Sequence, residues 1–474
     1  MDRTTLSAEW ARFRTGRGWM LGMVASTLVT VSLGLLVTGS AGTTCVTAQG
    51  EGHCPPPLLG PDGTAVADKY YFVHQPLQGD GSITARVSDM TGQIRLPDAV
   101  PGVRNVKEGA VVPWAKAGLL LRPTLKQGTP YAAVMITGKH GVRMQHNFTH
   151  DVAGAPVDGP RWLRLTRSGD TVTGHESGDG RTWTEVSTVT LAGLPRTVEI
   201  GLFAASPSAL TDMTGRFAQA TATFDQIALR GANGSWRHDD VGLALKPDGS
   251  PHHPGQAVES GGKVIVSGGG DIGPVIMTGG LRADLTLLGG VAGLVVVIVV
   301  AVTFFTADHR RGRGDPRAKA VVVGAVAFVT GLVTSGAVVP GGLALMRAHQ
   351  NPVQPITLAT TLQVIVGYAA LTAAVAVLAL GLAALVKRGI VAIGLAVGLV
   401  VVPYLLASAG LVPWLLMITP AAGFAITQSV PVFAHIDVDR SLLGGYYPLP
   451  PWAGLAVICG YAALALWTAH RSCR

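Results

Sequence analysis

Apolar residues are distributed along the chain in two contrasting rhythms. Uninterrupted apolar runs near the length that crosses a bilayer, about 20 residues, occur at 19–37, 285–305, 320–346, 356–386, 389–411 and 452–467. Each predicts a membrane-spanning helix, with Pro403 a kink in the fifth and Tyr447 to Pro451 extending the short sixth. Between the first and second runs the pattern changes to short stretches that alternate with period two, the signature of strands. These fall at 70–73, 81–87, 117–122, 131–137, 142–148, 162–166, 171–176, 183–190, 198–204 and 218–229. Gly178-Asp179-Gly180 reads as a hairpin turn. About ten short strands without a periodic helix predict a β-sandwich. The fold class expected is therefore mixed: an α-helical six-span membrane domain plus an all-β sandwich at 42–232.

Composition supports this division. Hydrophobic residues make up 48% and charged residues 14%, with a mean hydropathy of +0.40; soluble domains carry about 25% charged residues. The net charge of +8 would suggest nucleic acid if it were clustered on a soluble face. Instead the basic residues alternate with the spans. Arg3, Arg12, Arg14 and Arg17 precede the first, Arg310, Arg311, Arg313, Arg317 and Lys319 follow the second, Lys387 and Arg388 follow the fourth, and Arg471 and Arg474 follow the sixth. The positive-inside rule then places both termini in the cytoplasm and residues 42–282 outside. That outer segment is neutral, with 21 basic and 21 acidic residues. No nucleic-acid partner is expected. A cleavable signal peptide is the competing reading of the first run, but its apolar core exceeds the usual 7–15 residues.

In the outer segment, WAKAGLLLRP from Trp114 to Pro123, YAAVMIT from Tyr131, and WLRLTRSGDTVTGHESGDGRTWTEV from Trp162 to Val186 resemble a laminin-G or concanavalin-like jelly roll. The resemblance implies that Trp114, Trp162 and Trp183 contact an envelope glycan; the alternative is that they pack the core. Asp170, Asp179 and Glu185 suit turns as well as calcium, and His140, His146 and His150 lack a metal-binding spacing, so no metal or cofactor is expected. Cys45 and Cys54, just beyond the first span, would form a local disulfide in an oxidising exterior. Cys459 and Cys473 would stay unbridged. Residues 233–282 are rich in Gly, Pro and Ser and read as a linker with one short strand at 263–267. The sequons at Asn147 and Asn233 are given no function.

Several chemistries are excluded. No G-x-x-x-x-G-K-[ST], G-x-S-x-G or H-E-x-x-H motif occurs. The spans hold almost no ionisable residues in their cores, which argues against a proton- or ion-driven carrier. Their polar residues, mainly Gln363, Tyr368, Ser335 and Thr334, suit helix association. A glycosidase would need a carboxylate pair, for which Glu176 and Glu185 are the nearest candidates. No catalytic residue is assigned.

Leu6 to Thr15 forms a short amphipathic segment with Trp10 and Phe13 apolar and Arg12 and Arg14 basic. This opening, the basic Asp308-His309-Arg310-Arg311-Gly312, the Ala318-Lys319-Ala320 entry to the third span, ITPAAGFAITQSVP at 418–431 and GGYYPLPPWAGLAV at 444–457 together resemble the permease subunits of actinobacterial type 2 ATP-binding-cassette exporters. The resemblance implies a six-span permease in a bacterial plasma membrane. It would pair with itself or a related chain and be driven by a separate ATP-binding subunit, to move a hydrophobic or amphipathic substrate outwards. Glu9, Trp10, Arg12, Arg14, Arg310, Arg311 and Arg313 would be the coupling contacts. Residues 414–427 would form short re-entrant helices, and the jelly roll would be an insertion. One departure stands out. Only Arg313 to Arg317 follows the basic run before the third span, and its Gly and Pro disfavour a coupling helix. A membrane-anchored glycan receptor without transport is the competing function.

Overall fold

The computed structural model describes residues 3–42, 44–47, 50–96, 105–211, 214–232, 234–242, 244–245, 251–252, 255–275, 280–309, 315–433 and 442–472. The chain divides into two compact units: a helical unit from 1–43, 280–432 and 438–474, and a β unit from 44–279 with 433–437.

The helical unit contains α1 (Arg3–Thr15), α2 (Arg17–Ser40), α3 (Gly290–His309), α4 (Pro316–Ala348), α5 (Leu358–Val386), α6 (Gly389–Ser408), α7 (Leu415–Ile418) and α8 (Pro451–Ser472). Six of its helices are long and apolar enough to cross a membrane, and they coincide with the six apolar runs. At 33 residues α4 extends about 50 Å. Pro316 occupies its first turn, where a missing N–H costs nothing, and the Asp315 carboxylate accepts from the Arg317 N–H at 3.0 Å. Leu21, Leu28, Leu36 and Ile390 are each at least 60% exposed, a surface that suits lipid contact.

Helix association relies on small residues and hydroxyls. Side chains add little hydrophobic drive between helices in lipid, so close backbone approach matters. A Cβ on Gly34 of α2 would overlap the Thr286 carbonyl oxygen, and one on Gly293 of α3 would overlap the Thr30 hydroxyl. Hydroxyls bond across helices: Ser26 to the Gly293 carbonyl (2.9 Å), Ser335 to the Ile365 carbonyl (2.9 Å), and Thr334 to Thr27 (3.0 Å). After α6 the chain breaks into α7 and a 3-10 helix at Pro420–Thr427, every residue of which is buried.

The β unit is two antiparallel sheets packed face to face. One runs, in spatial order, His150–Ala153, Val142–His146, Ala132–Thr137, Lys116–Arg122, Thr197–Ala205, Tyr70–Gln78 and Arg237–Val241. The other runs Thr184–Thr190, Thr171–Ser177, Arg161–Ser168, Gly81–Arg95, Ala218–Arg230, Lys263–Gly269 and Gln256–Ser260, with Val106–Glu108 beside Gly81–Arg95. Alternation puts Ile83, Ala85 and Val87 from one sheet against Leu119, Leu121, Ile200 and Leu202 from the other. The opposite face of the first sheet has its own core, where Tyr70, Phe72, Leu120, Tyr131 and Phe203 are covered by Phe148 and Ile272. Cys45 and Cys54 form the expected disulfide across a two-stranded ribbon, Thr44–Thr47 with Gly50–His53.

The strand expected at 263–267 is present within Lys263–Gly269, but the linker reading of the rest of 233–282 is corrected by further strands. That region supplies the strands Arg237–Val241, Gln256–Ser260, Lys263–Gly269 and Ile272–Pro274. Its glycines serve turns: Gly261 and Gly262 adopt φ of +59° and +76° between two paired strands. Val264 and Val266 are buried and complete the inter-sheet core.

The largest fully buried side chain is Arg122. Its guanidinium meets both oxygens of Asp68 at 3.2 and 2.9 Å, the Tyr70 hydroxyl, and the Lys126 carbonyl and Thr129 hydroxyl at 2.9 and 2.8 Å. Burial works against its charge, yet Tyr70 and Asp68 together raise its pKa. Burial likewise pushes the Tyr70 phenol up. Removing one partner strands a buried charge. Asp68→Ala should therefore destabilise the β unit by about 3–5 kcal/mol, whereas replacing Asp68 and Arg122 together with leucine should cost less. Hydrogen exchange of the sheet amides in the full chain measures both.

Candidate functional sites

Three places gather chemistry. The first lies under α1. Gly16 separates α1 from α2 with φ −77° and ψ 88°, so the two helices meet at a bend. Glu9 and Phe13, four residues apart and hence on one face, are turned inwards and buried, whereas Trp10 is 46% exposed and Arg14 is exposed. Phe13, Trp19 and Phe304 form an aromatic cluster, with Phe304 meeting the other two edge-on at centroid distances of 5.1 and 5.0 Å. Beneath it Lys319, near the start of α4, is 1% exposed. Its ammonium lies 4.0 Å from the Glu9 carboxylate, 3.4 Å from the Phe304 carbonyl oxygen and 4.8 Å from the Phe304 ring centroid. Arg12 donates to the other Glu9 oxygen at 2.9 Å.

This geometry divides the residues predicted as coupling contacts. Trp10 and Arg14 face outwards, and Arg12 is 41% exposed while bonded to Glu9. Glu9 is instead buried, one oxygen bonded to Arg12 and the other 4.0 Å from the Lys319 ammonium inside the helical unit. Arg310, Arg311 and Arg313 lie outside the described residues. Lys319 carries a role that its position in a basic run did not disclose, since its partner lies 310 residues earlier.

The second place is a cavity of about 340 Å³ in the helical unit. Its walls come from the 3-10 helix Ala283–Leu287, α5, α6 and Pro420–Thr427. Arg282 and Asp284 pair at 3.1 Å, and the Ser429 hydroxyl donates to Asp284 at 2.7 Å. The Tyr404 ring stacks on Phe424 at 4.0 Å. Tyr447 is held by its N–H to the Gln428 side-chain oxygen at 3.2 Å. Tyr368 closes the deep end, its hydroxyl 3.4 Å from the Gly290 carbonyl.

The third is the outer face of the second sheet in the β unit. Register places Trp162 opposite Arg86 and Ser177, and Arg164 opposite Thr84 and His175. Arg86 binds Asp225 through two bonds of 2.7 and 2.8 Å, which hold the Asp225 carboxyl below its usual range. The Arg86 guanidinium lies 5.9 Å from the Trp162 ring, and that of Arg164 lies 3.8 Å from Trp183. Both tryptophans are partly exposed. Trp114 is not with them: it is 5% exposed, stacked on His140 at 4.0 Å with Arg143 at 5.5 Å, and belongs to packing.

Other candidates separate as well. Asp179 accepts from the Arg181 and Thr182 N–H groups at 2.8 Å each, and Asp170 from Gly193 and Leu194. Those backbone bonds hold Asp179 well below the normal carboxylate range. Glu176 lies opposite Thr184, while Glu185 lies opposite His175. Adjacent positions on a strand point to opposite faces, so the two carboxylates cannot flank one glycosidic bond.

No family model and no curated protein matches the chain. Among solved structures, a functionally unknown protein from Saccharomyces cerevisiae is similar at 14% identity and TM-score 0.23, over 35% of this chain and 76% of that one. A GH43 protein from Bacillus licheniformis is similar at 13% identity and TM-score 0.18, over 26% of this chain and 24% of its own.

The buried pair under α1 yields a direct prediction. Lys319→Met should destabilise the helical unit by about 3–5 kcal/mol and speed tryptic cleavage at Arg12 and Arg14. Adding Glu9→Gln should recover part of both losses. Thermal unfolding and timed proteolysis of the detergent-solubilised chain read the result.

Proposed function

We propose that this chain is the permease subunit of a type 2 ATP-binding-cassette exporter, moving a hydrophobic or amphipathic molecule outwards with energy from a separate ATP-binding subunit. In this reading both termini and α1 face the cytoplasm, and the β unit is a laminin-G or concanavalin-like jelly roll inserted outside the membrane. The observation that carries the proposal is α1. A short helix presents Trp10 and Arg14 outwards, yet is pinned to α3 and α4 by the Glu9–Lys319 pair and the Phe13–Trp19–Phe304 cluster. A push on its exposed side would be delivered directly to two long helices. This also answers the short connection after α3, which ends at His309 while α4 begins at Pro316. The Gly and Pro of Arg313 to Arg317 disfavour a coupling helix there, so α1 would carry that contact.

An ATPase with a phosphate loop should copurify with the full chain when it is extracted from its native membranes in mild detergent. Trp10→Ala with Arg14→Glu should reduce recovery at least tenfold without changing the elution volume of the permease. Repeated failure to recover an ATPase with the unaltered chain would remove the proposal.

A second reading, a membrane-anchored glycan receptor, is favoured by the Trp162–Trp183 face with its paired Arg86 and Asp225. Partly exposed aromatic rings beside a fixed guanidinium–carboxylate pair suit a sugar's apolar face and hydroxyls. Binding of the full chain to an envelope-glycan array, lost in Trp183→Ala, supports this reading; no binding removes it.

A further inference from the structure

We propose that the tyrosine-lined cavity of the helical unit binds a single-chain amphiphile whose headgroup pairs a phosphate with an ammonium. The inference goes beyond the transport reading and does not depend on an ATPase.

The shape supplies the first argument. Asp284 lies at the entry to α3, Ser408 is the last residue of α6, and Tyr447 precedes α8 by four positions. Following the chain back and forth brings these three to the same end of the helical unit. Tyr368 lies ten residues into α5, and its hydroxyl meets the carbonyl oxygen of Gly290, six residues after Asp284 and so about 9 Å further into the helical unit at 1.5 Å per residue. That depth is about a third of a ~30 Å hydrocarbon core. The cavity therefore reaches into one leaflet, with its charged groups at one end. Its volume, about 340 Å³, falls at the small end of ligand sites, which run from about 300 to 1,000 Å³. One chain fits better than two.

The charge supplies the second argument. Arg282 and Asp284 are the charged residues among those described around the cavity, and they balance. A headgroup with net charge would leave one ion uncompensated in a poorly solvated place, which is unfavourable. A zwitterion avoids this by exchanging partners: its phosphate takes the Arg282 guanidinium and its ammonium takes Asp284. The aromatic rings of Tyr404 and Tyr447 add the π-faces that attract a substituted ammonium. Leu288 and Phe424 provide apolar wall for the chain below.

The test uses the full chain in detergent and a lysophosphatidylcholine carrying a diazirine at its chain end. Cross-links mapped by mass spectrometry should concentrate near Tyr368. Unlabelled lysophosphatidylcholine should compete at least tenfold better than lysophosphatidylglycerol, which bears net negative charge. Leu288→Trp, which fills the space, should cut labelling at least tenfold. The paired change Arg282→Gln with Asp284→Asn should keep labelling but abolish the preference between competitors. Labelling spread over the exposed helix faces, equal competition by the two lipids, or undiminished labelling of Leu288→Trp would overturn the proposal. None of these readings involves ATP, so the permease assignment stands or falls separately.

Discussion

A charge withdrawn from water must be met by another charge or by several hydrogen bonds, and each unit of this chain contains such an encounter. In the β unit it is Arg122 with Asp68, surrounded by Tyr70, Thr129 and the Lys126 carbonyl. In the helical unit it is Lys319 with Glu9, closed over by Phe304. Neither pair is evidence of high stability, because burial costs much of what attraction returns. What each provides is uniqueness. The 124–129 loop is seated where the Lys126 carbonyl and the Thr129 hydroxyl accept from the Arg122 guanidinium, and α1 is seated where Glu9 lies 4.0 Å from Lys319. The constraint thus converts adaptable apolar packing into a single arrangement.

The large-scale plan was legible because it rests on local periodicity. Six apolar runs became six long helices with ends shifted by a few residues, and the alternating stretches became strands in two packed sheets. The cysteine pair was legible from separation and setting. What escaped was whatever depends on distant partners. Lys319 read as one more basic residue in a flank, since nothing near it in sequence points to Glu9. The cavity escaped for the same reason, being assembled from segments around residues 284, 368, 404, 424 and 447. Residues 233–275 misled in the opposite way. Their Gly and Pro content matches a linker, yet glycine at a tight turn and valine at alternate positions also describe a hairpin, and burial of Val264 and Val266 decides between them.

The three tryptophans show how a shared residue type can conceal different roles. Trp162 and Trp183 share the outer face of one sheet, where guanidinium groups approach their rings. Trp114 is closed in by His140 and Arg143. Exposure separates them, and exposure depends on what the rest of the sheet places above each ring. Glu176 and Glu185 differ by a simpler rule, the parity of a strand after a one-residue irregularity at Gly174 and His175. A hairpin without that irregularity would have paired Glu176 and Glu185 differently.

The positions of α1 and of the cavity have a common physical basis. Between the ends of its long helices the helical unit is held by glycine contacts and hydroxyl-to-carbonyl bonds, interactions of short range that tolerate little sliding. Charged groups cluster where helices begin or stop: Glu9 and Lys319 at one end, Arg282 and Asp284 at the other. Movement of one helix past another would break many small contacts along the middle. Tilting about that middle would break few, and it would open or close both ends together. A force applied through α1 to α3 and α4 would therefore be felt at the start of α3, where Arg282 and Asp284 stand. The packing that excludes ionisable chemistry from the centre is also what could connect the two places where the chemistry remains.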